Sequence, residues 1–399
     1  MVLEGLTFIG VALLIGLLSS LIAKRLRLPE VLVLVFVGIV FGAIIRLESI
    51  KLSLPHEFIT GLSIFTLILI IFESTAKIRF TELDIASMWA LKLTGLTIAL
   101  NLLFFAPAVW IFLFGGKADL LFMSFLFAAI MSGTSADVVL SILGNCKRKI
   151  IEVLKLESVV NTPLTIIIPL IVVSIMQGVG VQLVSDFIIK FIIQITSGIG
   201  AGVVVGLIVF KAMRTAYSET FSPIAVITAA VITYILAENI GGDGVLAVTT
   251  LGLFFGNLYI KQKISLLEFE SLFSALLRIL IFIIIGFLIE IPLSIWFFAQ
   301  ILILLAIYTV IRLIAVAFLS RNLSWKEVTY MALSAPKGIT VVVITLAVLA
   351  KDLAGFNQIV PYILGFVLLS MILATAAGRF SKFFLGIELE QPVPKKRKK

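Results

Sequence analysis

Thirteen long apolar runs follow one another along this chain, joined by short links. A helix needs about 20 mostly apolar residues to cross a bilayer, and a backbone in lipid must satisfy its own hydrogen bonds. Runs of this length therefore restrict the chain to a bundle of membrane-crossing helices. They fall at about 5–23, 30–46, 59–78, 88–114, 118–143, 150–176, 187–210, 222–238, 241–260, 272–291, 293–319, 328–350 and 358–385. Composition agrees: 61% of the residues are hydrophobic and 13% charged, against roughly 45–50% and 25% in a soluble domain. The expected class is an all-α polytopic membrane protein of about 13 transmembrane helices, with one transmembrane domain over 1–386 and a basic tail over 387–399.

Lys and Arg accumulate in cytoplasmic loops. With thirteen spans, the loops on one side carry fourteen basic residues, among them Lys24, Arg79, Lys147 and Lys211. The other side carries five: Arg46, Lys51, Lys117, Lys190 and Lys351. This asymmetry places the N-terminus outside and the C-terminus in the cytoplasm of a cell-membrane protein. The tail cluster Lys395-Lys396-Arg397-Lys398-Lys399 falls on the basic side. It reads as a solvated end or a contact with anionic lipid, and nucleic acid is not expected as a partner. Positive charge follows the first apolar run and does not precede it, so that run reads as an uncleaved span and not as a signal peptide.

Two runs are interrupted near their middles, the fifth by Gly133-Thr134-Ser135 and the twelfth by Ser334-Ala335-Pro336-Lys337-Gly338. Proline and glycine weaken helical hydrogen bonding, and unwound backbone is tolerated in a membrane only where protein or a cavity surrounds it. The breaks lie seven spans apart. That separation divides the chain into repeat one (about 1–176), a linker helix (about 187–210) and repeat two (about 222–386). An odd separation gives the repeats opposite orientation, the arrangement in which broken helices five and twelve cross near the midplane and hold a transported ion.

Polar groups at bilayer depth point to an ion pathway. On the sixth run Glu157, Asn161 and Thr165 share one helical stripe, with Ser158 and Thr162 on the next. One carboxylate, an amide and several hydroxyls form an oxygen-rich pocket of the kind hard cations favour, and the carboxylate can bind a proton in place of the cation. Two readings of Glu157 stand: a titrating ion ligand, or one half of an ion pair with Lys337 that staples helices together. Asp137 lines an access funnel or caps a broken half-helix. Glu73, Arg278 and Arg312 each lie about 9–11 Å from a cytoplasmic helix end. The two arginines have the reach to snorkel, whereas Glu73 has less reach and invites a partner.

Other chemistry is restricted. Cys146 is the single cysteine and His56 the single histidine, which excludes an internal disulfide, a multi-cysteine metal site and a histidine relay. No cofactor is expected, and no metal beyond a transported monovalent cation. Gly241-Gly242-Asp243-Gly244 superficially matches a glycine motif of intramembrane aspartyl proteases, but the order differs and no partner aspartate motif follows, so an enzyme is not expected.

The chain resembles the cation:proton antiporter superfamily, most closely the NhaP-type sodium/proton antiporters. Residues 128–136, ending Gly133-Thr134-Ser135-Ala136, are similar to the family segment that ends in Thr-Asp-Pro. Glu157-Ser158-Val159-Val160-Asn161-Thr162-Pro163-Leu164 is similar to Glu-Ser-x-x-Asn-Asp-Pro-Leu. Phe72-Glu73, the glycine-rich stretch from Gly244 to Asn257, and Pro336-Lys337-Gly338 complete the match in the right order. The resemblance implies a homodimer, an elevator-like core and exchange of sodium or lithium for a proton. It assigns Thr134, Glu157, Ser158 and Asn161 to the ion site and Lys337 to pairing with Glu157. Two positions depart from the pattern. Thr162 stands where the family has its ion-binding aspartate, and Ser135 where it has the aspartate of Thr-Asp-Pro. Asp137 lies two residues further on, about 200° around a helix. The alternative function is a transport-deficient or differently selective paralogue, such as a potassium/proton exchanger or a sensory or structural membrane protein.

Overall fold

The computed structural model describes residues 2–386 apart from 27, 48–55, 77–84, 136–137, 140–148, 177–183, 216–217, 219–220, 259–261, 289–291, 293, 321–322, 350 and 352. Among the described residues all regular structure is helical. First come α1 (Val2–Leu26), α2 (Glu30–Leu47) and α3 (His56–Ala76). α4 (Ile85–Leu100) continues through a π turn (Asn101–Phe105) into α5 (Ala106–Phe112). Next are α6 (Leu121–Met131), α7 (Lys149–Met176) and α8 (Val184–Thr215). Then follow α9 (Phe221–Asn239), α10 (Gly244–Asn257), α11 (Lys263–Leu288) and α12 (Ile295–Leu319). The chain closes with α13 (Trp325–Leu333), α14 (Ile339–Leu349), α15 (Val360–Arg379) and the short α16 (Ser381–Leu385).

Helix occupies part of every apolar run seen in the sequence. Among the described residues, five stretches are long and apolar enough to cross a membrane: Met88–Phe112, Ile192–Met213, Phe221–Asn239, Ile295–Leu319 and Phe356–Arg379. Shorter apolar helices of 10–17 residues accompany them. Large apolar side chains such as Leu103, Ile208 and Phe318 stand outward, more than half exposed. Water does not tolerate apolar surface on this scale, and lipid does, so the chain is an integral membrane protein. α11 begins nine residues before the run expected from 272. Its first turns bury Leu266, Glu270 and Ser274 at helical spacing, a one-sided pattern that average hydropathy does not register.

Two groups of helices organise the bundle. α11 lies along α2 and α3, and α10 packs on α8, α3 and α9. The second group joins α4 and α6 to α7, and α12 to α4, α13 and α15. α14 touches both α3 and α7 and so links the groups. Within the first group, α2 and α11 approach glycine on glycine. A Cβ on Gly286 would lie 2.5 Å from the Val35 carbonyl oxygen and 2.8 Å from the Gly38 Cα. A Cβ on Gly38 would meet the Ile283 carbonyl oxygen at 2.7 Å. Small residues let membrane helices touch backbone to backbone.

The two interruptions are present. After α6 the backbone is non-helical from Gly133 to Ser135, and between α13 and α14 from Ser334 to Gly338. Ser324 begins α13 with a capping box, its side chain and that of Glu327 bonding reciprocally to each other's backbone N–H. This fixes the start of a half-helix only nine residues long. Overpacking a tight contact typically costs about 1–3 kcal/mol. Gly286→Leu is therefore expected to lower the thermal unfolding midpoint of the detergent-solubilised protein by several degrees, against little change for Leu103→Ile on the outer surface.

Candidate ion site at the helix crossing

The broken segments meet. The Ser135 N–H donates to the Pro336 carbonyl at 2.8 Å. A Cβ on Gly338 would lie 2.3 Å from the Ser135 Oγ, and one on Gly133 would lie 2.3 Å from the Thr165 Cγ2. Glycine at 133 and 338 is thus what allows the two breaks to touch each other and α7. The Lys337 N–H, released from helical bonding by the break, donates to the Ser370 Oγ on α15 at 3.0 Å.

α7 supplies the polar floor. Asn161 Nδ2 donates to the Ser132 carbonyl at 3.0 Å and to Thr134 Oγ1 at 3.4 Å. Thr165 Oγ1 donates to the Asn161 carbonyl at 2.8 Å and to Asn161 Oδ1 at 3.1 Å. From the π turn, Asn101 Nδ2 donates to Ser132 Oγ at 3.1 Å. Asn101, Ser132, Thr134, Ser135, Ser158, Asn161 and Thr165 are all buried. The result is a cluster of hydroxyl, amide and carbonyl oxygens, without a carboxylate among the described residues that touch the crossing. Thr162 lies on α7 beside Asn161, but its side chain is outside the described residues, as is Asp137 altogether.

The expected partner of Glu157 is corrected. Arg312 on α12 takes both its carboxylate oxygens, Nη1 to Oε1 and Nη2 to Oε2, each at 2.7 Å. Neither side chain has any exposure. Arg312 therefore does not snorkel toward a membrane face. The guanidinium fork matches a carboxylate at two points, which a lysine cannot do. The Lys337 ammonium instead donates to the Tyr308 hydroxyl and sits 4.0 Å from the centre of the Tyr308 ring. Tyr308 and Arg312 are one helical turn apart on α12, so a single face of that helix holds both basic side chains.

Arg278 is corrected in the same sense. Its Nη2 donates to Glu73 Oε2 at 3.0 Å, and Ser271 Oγ donates to Glu73 Oε1 at 2.8 Å. This second pair ties α3 to α11 and lies apart from the crossing.

Sequence reasoning missed Asn101, Tyr308 and Ser370. An amide inside Leu-Asn-Leu-Leu, and a tyrosine one turn before a buried arginine, were the available signals. Breaking a buried pair by removing one partner costs about 3–5 kcal/mol, whereas removing both charges together is often near neutral. Arg312→Met alone is expected to destabilise strongly, and the combination of Arg312→Met with Glu157→Gln to recover most of the loss. A double-mutant cycle read by thermal unfolding checks this, and additive losses would count against it.

A family model described as "Sodium/hydrogen exchanger, transmembrane" matches residues 9–379. The K(+)/H(+) antiporter NhaP2 of Shewanella oneidensis is 24% identical over 282 residues, 69% of this chain and 47% of that protein. The Na(+)/H(+) antiporter NhaG of Bacillus atrophaeus is 28% identical over 287 residues, 66% of this chain and 52% of that protein. The chain thus spans about half the length of the curated relatives it matches. In fold it is similar to the solved sodium proton antiporter MjNhaP1 of Methanocaldococcus jannaschii, with a TM-score of 0.78, 21% identity and coverage of 97% of this chain and 100% of that one. The chain belongs to the transmembrane sodium/hydrogen exchanger family, a family of antiporters and not of enzymes.

Proposed function

We propose that the chain is a secondary transporter that exchanges a monovalent cation, sodium or lithium, for a proton. The observation that carries this reading is the Ser135–Pro336 bond at the crossing, which gathers Thr134, Ser135 and Asn161 in one buried oxygen cluster within an antiporter fold. Thr134, Ser135, Ser158, Asn161 and Thr162 hold the cation. Glu157 takes up the exchanged proton, its pair with Arg312 holds the shape of the site while it is ionised, and Lys337 on Tyr308 brings a second basic group to its edge. All thirteen apolar runs cross the membrane as two inverted repeats joined by α8. The N-terminus is outside and the C-terminus in the cytoplasm. Two copies form a dimer whose first helix group stays fixed while the second moves in an elevator fashion. Asp137 lines the cytoplasmic approach to the site or caps the broken half-helix.

A second reading has its own observation. Both oxygens of Glu157 are engaged by Arg312, and Ser135 and Thr162 supply no negative charge. A core of this kind also suits a paralogue that prefers potassium or does not transport.

Sodium, lithium and potassium titrations of proteoliposomes holding a pH-sensitive dye separate the readings. Antiport predicts a cation-driven pH change that Asn161→Leu lowers at least tenfold and that Glu157→Gln abolishes. Equal flux in wild type and Glu157→Gln discards a role for that carboxylate. A transport-deficient paralogue predicts no flux from the native chain and flux from the combined Ser135→Asp, Thr162→Asp variant.

A further inference from the structure

Buried threonines within the helices of this bundle follow one habit. Thr66, Thr75, Thr165, Thr233, Thr249 and Thr345 each donate the hydroxyl proton to the carbonyl four residues back. This is the usual way for a helix to satisfy a hydroxyl that has no water. Two threonines on α4 break the habit. Thr94 is fully buried and Thr97 is 1% exposed, yet neither Oγ1 has a hydrogen-bond partner. The carbonyls of Ala90 and Leu93, four residues back, lie within the same helix, so the usual bond was open to both.

The next polar group on that side of α4 is Asn101, also fully buried, whose Oδ1 has no partner either. Residues 94, 97 and 101 stand within about 60° of one another around a helix and rise about 10 Å along it. Asn101 then hands its amide to Ser132 at the crossing. The row therefore starts about 13 Å inside the end of α4 that begins at Ile85 and finishes at the ion cluster. It lies on a helix packed against α7 and α12, the two that carry Asn161, Glu157 and Arg312. Side chains in such a place keep open oxygens where water or an ion supplies the missing partner.

We propose that Thr94, Thr97 and Asn101 line a hydrated path along α4 that admits a small monovalent cation to the crossing from the end of the bundle where α4 begins. The path deepens the transport reading by naming a route to its site. It runs inside the second helix group, along the inner side of α4.

The test reads access and not transport, so it stands whether or not the chain exchanges ions. The single native cysteine is first removed as Cys146→Ser. Thr94→Cys, Thr97→Cys and, as a control of equal burial, Thr233→Cys are then made in that background. Each is placed in lipid nanodiscs, exposed to silver ion for set times and denatured. The remaining free thiol is counted by maleimide labelling. Thr94→Cys and Thr97→Cys are expected to lose their thiols at least tenfold faster than Thr233→Cys. Rates at both positions below that margin overturn the proposal. Each variant is first checked for native elution, and if one of the α4 variants misfolds the other carries the comparison. Silver access without any measured flux would leave the path standing and remove the antiport reading. Flux without silver access would do the reverse.

Discussion

Glu157 and Arg312 set the terms for the second helix group. An isolated charge in the middle of a bilayer is costly, and a fully buried pair is tolerable only with close, two-point geometry. The observed pair meets that condition with two contacts of 2.7 Å and no solvent. Its consequence is positional. α7 and α12 cannot slide or rotate against each other without separating the charges, so the face of α12 bearing Tyr308 is fixed as well. Lys337 is then held over Tyr308, and its backbone N–H on Ser370 fixes the break to α15.

Chemistry at the crossing is unusual for what remains after the pair is formed. The guanidinium consumes the single carboxylate described near the site, and a lysine adds a further basic group. What faces the breaks is a set of neutral oxygens on Thr134, Ser135 and Asn161. Neutral oxygens select by size and number of ligands more than by charge. Any cation bound here relies on hydroxyl and carbonyl dipoles to replace its hydration shell. The fold is that of the exchanger family, while the charge balance of the site follows from the residues this chain places there.

Much of the architecture was legible because the bilayer leaves few options. An apolar run of about 20 residues has to be helix, and glycine and proline mark where a helix can open. Both breaks lie where those residues stand. The ion-pair assignment was not legible. By depth along their helices, Arg312 and Lys337 are both within reach of Glu157. The choice depends on the rotation of α12 about its axis and on the direction in which an unwound segment turns its side chains. Neither is encoded in hydropathy. Asn101 was hidden for a similar reason, since nothing in Asn-Leu-Leu-Phe-Phe announces a π turn.

That turn carries a consequence of its own. The Ala106 N–H reaches back five residues to the Asn101 carbonyl, so one extra residue is accommodated there without ending the helix. Deletion of any one residue between 101 and 105 could be absorbed as an ordinary α-helical stretch. The segments on either side would keep nearly their present orientation to each other, because the wide turn spends the one residue that the deletion removes. The change would fall on the turn itself, where the Asn101 carbonyl would take an ordinary four-residue bond. The extra residue thus loosens the helix at the point where Asn101 reaches Ser132, without turning either flank away from its neighbours.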